Sequence, residues 1–115
     1  MRVLLTVAIG FTVLAAAACS SSSTSPANSC GSSGANANVN TTSSNSFSPA
    51  SLTITHGQSV CWQSGNVLHT VTDNGGAFDA DLPVGQVFVH TYPAAGTYPY
   101  HCKIHAGMTG TVIVN

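Results

Sequence analysis

The sequence predicts an all-β sandwich of the Greek-key kind, placed behind an export signal and a polar tether. Three observations lead there. Past residue 20, apolar side chains recur at every second position in short runs. Gly, Pro and Asn punctuate those runs about every 8–12 residues, the spacing of a sandwich or barrel. No stretch of that region sustains the 3.6-residue period of an amphipathic helix.

The first element is an address. Met1 and Arg2 precede an apolar run from Val3 to Ala18, which is shorter than the roughly 20 residues a transmembrane helix needs. Residues 1–18 therefore read as a secretory signal peptide. Ala16-Ala17-Ala18-Cys19 resembles a bacterial lipobox, in which the cysteine takes a lipid and becomes the new N-terminus. Cleavage after one of the alanines, without lipid, is the competing reading. The Ser-rich stretch after Cys19 favours the anchor, because it makes an uncharged spacer. Residues 19–38 are assigned to this flexible tether, since they carry no large apolar side chain to offset the entropy of ordering.

Residues 39–115 form the expected domain. Leu52 and Ile54 alternate with Ser and Thr, and His56-Gly57-Gln58 turns the chain. Val60 and Trp62 alternate with Cys61, and Val67 to Val71 forms another short run. Phe88, His90 and Tyr92 share one face of the next strand, Pro93 to Gly96 turns, and Tyr98 and Tyr100 follow. Val112 and Val114 lie on the last strand. A domain of roughly 77 residues hides only about 60–65% of its unfolded surface, so a metal or a disulfide would help it.

Charge narrows the possible functions. The 115 residues include two basic and three acidic side chains, 4% charged in all. With Arg2 in the signal, Lys103 alone cannot make the basic footprint that a phosphate backbone requires, which excludes nucleic acid.

Ligand chemistry concentrates near the C-terminus, in Tyr100-His101-Cys102-Lys103-Ile104-His105-Ala106-Gly107-Met108. It contains a thiolate, an imidazole and a thioether spaced Cys-x2-His-x2-Met, with His69 upstream as a fourth candidate that alone would read as an ordinary strand-end histidine. Two imidazoles and a thiolate with a weak axial Met suit one copper ion cycling between Cu(I) and Cu(II). The thiolate stabilises Cu(I), the imidazoles serve both oxidation states, and the thioether tunes the potential. Cys102 alone would read as a disulfide partner, and Met108 alone as core filler. His56 in a turn, His90 on a strand face and His101 opposite Cys102 are not assigned as ligands.

Over residues 39–115 the chain resembles a cupredoxin of the plastocyanin–amicyanin type. The resemblance rests on Phe47-Ser48-Pro49, Gly57-Gln58-Ser59-Val60, Trp62, His69-Thr70-Val71, Pro83-Val84-Gly85 and Gly96-Thr97-Tyr98-Pro99-Tyr100-His101-Cys102. It implies a type 1 copper site at His69, Cys102, His105 and Met108, and the two residues between His105 and Met108 resemble amicyanin. Ile104 stands where the family often has Pro, and Thr70 where it often has Asn, so the potential is the property these departures affect.

With Cys102 on the metal and Cys19 on a lipid, Cys30 and Cys61 are left to pair in an oxidising compartment. Their closed loop would stabilise the fold by roughly 3–4 kcal/mol. The expected protein is a monomeric electron carrier and not an enzyme, with no small-molecule substrate. It would be exported to the periplasm or cell surface and held to a membrane through Cys19. Redox proteins would dock at an apolar patch around His105. A copper-trafficking or copper-sequestering protein with the same ligands is the alternative.

Overall fold

A computed structural model describes residues 29–115. The signal peptide, the lipidation position Cys19 and the tether as far as residue 28 lie outside the described residues.

Among the described residues, nine strands follow a single turn of 3-10 helix at Cys30–Ser32. They are β1 (Ala37–Thr41), β2 (Phe47–Ser48), β3 (Ser51–Ile54), β4 (Ser59–Gln63) and β5 (His69–Asp73), then β6 (Asp79–Leu82), β7 (Val87–Thr91), β8 (Gly96–His101) and β9 (Thr109–Val114). One sheet runs β2-β1-β4-β7 and the other β3-β9-β8-β5-β6. Both are mixed, since β1 lies parallel to β4 and β3 parallel to β9 while the remaining pairs are antiparallel.

The period-2 pattern explains what fills the space between the sheets. Val60 and Trp62 point inward from β4, Val112 and Val114 from β9, and all are buried. Trp62 meets Tyr100 edge-on at 5.3 Å between ring centroids, and Tyr100 meets Phe47 likewise at 4.8 Å. Burying an aromatic or aliphatic side chain of this kind contributes about 1.5–3 kcal/mol. Gly110 has to be glycine, because a Cβ there would overlap the Tyr100 phenol.

The structure moves one boundary. Residues 29–38, read from the sequence as tether, belong to the folded unit: Cys30 is buried, and β1 starts at Ala37. Apolar burial does not hold them there. Cys30 is disulfide-bonded to Cys61. The Cys30 N–H donates to Gln63 Oε1 at 3.1 Å, and the Asn36 N–H to the Ser59 carbonyl at 3.0 Å. The Cys30–Cys61 bond expected from the sequence, with these polar contacts, thus holds a segment that has no large apolar side chain. The segment also covers Cys61, which points away from the core as strand parity requires but is fully buried. β5 begins at His69 rather than Val67.

Candidate metal centre

The sheet order brings the donors together. β5 and β8 are antiparallel neighbours with Thr72 opposite His101. The start of β5 and the end of β8 therefore emerge at the same end of the sheet. His69 is the first residue of β5, and Cys102 is the first residue after β8. His105 and Met108 lie on the short connection to β9. The Met108 carbonyl accepts from the Cys102 N–H at 3.0 Å, and the Met108 N–H donates to the His105 carbonyl at 3.3 Å. Gly107 takes the positive φ of 78° that this tight turn requires.

Three ligand atoms face one another. His69 Nδ1 and His105 Nδ1 are 3.2 Å apart, and Cys102 Sγ lies 4.0 Å from the first and 3.6 Å from the second. The point equidistant from all three lies about 2.1 Å from each, close to ordinary metal–nitrogen and metal–sulfur bond lengths. Two nitrogens and a soft sulfur at that radius fit one copper ion. Met108 is buried beside them on the same connection.

Burial at the site favours uncharged, metal-ready imidazole. Desolvation, followed by the nearby His105, lowers the His69 pKa. Burial pushes the Cys102 thiol up, but backbone N–H groups of Thr70, Ile104 and His105 outweigh it and leave the thiol below its usual value. The Thr70 N–H donates to Cys102 Sγ at 3.3 Å, while the Thr70 hydroxyl oxygen accepts from the Lys103 N–H at 2.8 Å. One residue thus ties His69 on β5 to Cys102 after β8, at the position where Thr stands in place of the family's frequent Asn. His69 Nε2 is buried without a hydrogen-bond partner, so packing sets that ring's orientation.

The remaining histidines have other work. His56 Nδ1 donates to the Asn115 carbonyl at 3.0 Å, and His101 Nδ1 to Asn74 Oδ1 at 2.6 Å. His90 packs against Phe78 and Tyr92. What the sequence reading missed is Asp79, which reaches the site through Thr72 and Lys103. Its signal was the register of β5 against β6, and β6 itself was not recognised.

No protein-family model matches the chain, and no curated protein matches it. Solved structures do. The reduced state of an amicyanin variant superposes with a TM-score of 0.65 at 27% identity, covering 71% of this chain and 83% of amicyanin. A purple cupredoxin from Nitrosopumilus maritimus does so with a TM-score of 0.62 at 26% identity, covering 69% of this chain and 99% of its own. The reduced Cu(I) form of another amicyanin variant gives 0.65 at 27%, with coverage of 71% and 83%.

Proposed function

We propose that this chain, which is similar to cupredoxins in fold and in its His-Cys-His donor group, carries single electrons between protein partners outside the cytoplasm. The observation that carries this reading is the convergence of His69 Nδ1, Cys102 Sγ and His105 Nδ1 at one end of the five-stranded sheet. In this reading His69, Cys102, His105 and Met108 would hold the ion, the first three as its strong donors and Met108 as a weaker thioether donor. Bound copper would supply the one-electron Cu(II)/Cu(I) couple.

The protein's own part is to hold the donors still. His69 sits on β5, and the Cys102–Met108 connection is closed by its own backbone hydrogen bonds and pinned by Thr70. A frame bonded in this way has little to reorganise when charge changes. Four protein ligands leave no open position for a substrate, so we assign no catalysis.

His105 is half-buried and is the ligand nearest solvent. Leu68 and Ile104, each adjacent to a ligand histidine, are 48% and 50% exposed. Val84, at 54%, joins them, because the Ser64 N–H donates to the Gln86 carbonyl and draws the 83–86 turn to this end. In this reading the apolar rim is where a redox partner docks. The Cys30–Cys61 disulfide supports an oxidising compartment, and the lipobox-like Cys19 supports a membrane anchor.

Copper titration with optical and electrochemical readout tests the proposal. Stoichiometric copper should produce an intense thiolate-to-copper charge-transfer band that bleaches and returns over repeated redox cycles. A colourless copper-loaded protein rejects the reading. Rapid loss of the metal to an apo acceptor would make it a trafficking protein instead.

A further inference from the structure

A closed ring of hydrogen bonds leaves the copper site and returns to it. The Lys103 N–H donates to Thr70 Oγ1 at 2.8 Å, and Thr70 Oγ1 lies 3.2 Å from Thr72 Oγ1. Thr72 Oγ1 donates to Asp79 Oδ1 at 2.9 Å, and Lys103 Nζ donates to Asp79 Oδ2 at 2.6 Å.

Proton counting gives the ring a direction. A carboxylate only accepts, so the Thr72 hydroxyl proton goes to Asp79. Thr72 Oγ1 is then left to accept, and the proton between the two threonines must come from Thr70. A hydroxyl has one proton. The Thr70 hydroxyl is also within reach of Cys102 Sγ, which the Thr70 N–H already meets at 3.3 Å. Donation to Thr72 withholds that proton from the sulfur.

We propose that Asp79 is a positioning residue for the copper centre: acting through Thr72, it aims the Thr70 hydroxyl proton away from the Cys102 thiolate. The proposal rests on the copper reading above and deepens it. A hydrogen bond to the thiolate favours the more electron-rich Cu(I) state, so withholding one keeps the potential low. The ring stands where the family pattern has Asn in place of Thr70, so it belongs to this chain's own residues.

The full chain tests this with substitutions outside the ligand set. Thr72→Val leaves every charge in place and removes the acceptor. It should shift the Cu(I)/Cu(II) equilibrium toward Cu(I) by about tenfold, or ~59 mV for one electron, and move the charge-transfer band to higher energy. Asp79→Ala should do the same. Asp79→Asn should do much less, because the amide oxygen still takes the Thr72 proton. In metal-free protein, NMR should place the Thr70 hydroxyl proton against Thr72 in the wild type and against Cys102 in Thr72→Val. An unchanged potential in Thr72→Val overturns the proposal, and so do equal shifts in Asp79→Ala and Asp79→Asn, which would be a plain charge effect. A wild-type protein without the band fails the copper reading, while the metal-free NMR still decides the relay.

Discussion

The backbone N–H of Thr70 donates to Cys102 Sγ across 32 residues of chain. This bond joins the first strand of the site to the last, and it needs an acceptor more than it needs sulfur. Cys102→Ser should therefore keep the fold, with an unchanged far-UV circular dichroism spectrum, while the soft ligand is lost. The charge-transfer band should vanish and copper affinity fall at least about tenfold. A blue Ser variant would remove Cys102 from the site.

The disulfide lies on the other sheet, through β4, and touches no ligand strand. Replacing Cys30 and Cys61 together by Ser should lower unfolding free energy by about 2–4 kcal/mol, measured by denaturant titration. The optical spectrum of the copper form should not change. Loss of the band along with the stability would show that the two sheets are coupled more tightly than their separate ladders imply.

His90 sets a slope of stability against pH. Burial among Phe78, Phe88 and Tyr92 lowers its pKa, and Asp73 pulls weakly the other way. The folded state thus binds this proton less readily than the unfolded state, whose histidine titrates near the ordinary value of about 6.5. The stabilisation is full above that value and is lost as pH falls through it toward the folded pKa. His90→Phe, which suits the aromatic surroundings, should flatten the decline between neutral and mildly acid pH in thermal denaturation. An identical slope in the variant would mean that the burial carries no such cost.

Docking should depend on apolar contact rather than charge. Lys103, the lone cation of the described chain, is paired to Asp79, and Asp73 is buried. Rates with a redox partner should vary little with ionic strength, because few free charges remain to steer. Replacing Leu68 and Ile104 together by Ser should slow the reaction by about tenfold, as loss of a buried apolar anchor does, and should leave the potential unchanged. A steep salt dependence would point to a different docking face.

What could be read in the sequence follows from where side chains carry information. β4, β7, β8 and β9 carry large side chains at alternate positions, so their period is visible, and Cys102, His105 and Met108 share a nine-residue motif. β1 offers only Val39 among Ala, Asn and Thr, and β6 only Leu82 after Asp-Ala-Asp. Those two strands are set by their pairing partners rather than by their own pattern, so neither was recognised. His69 was found by resemblance, since a lone histidine at a strand start carries no signal. Asp79 was out of reach because its role depends on β5–β6 register, which no local pattern encodes.

The cross-link at Cys30 also decides how the fold bears load. A pull on the chain at Ser29 does not peel β1 from its neighbours one hydrogen bond at a time. It passes through the disulfide directly into β4, an interior strand flanked by β1 and β7. β1 and the loop that follows Cys30 are thereby bypassed. Reduction of that one bond would transfer the tension to β1, whose ladders to β2 and β4 would then bear it alone.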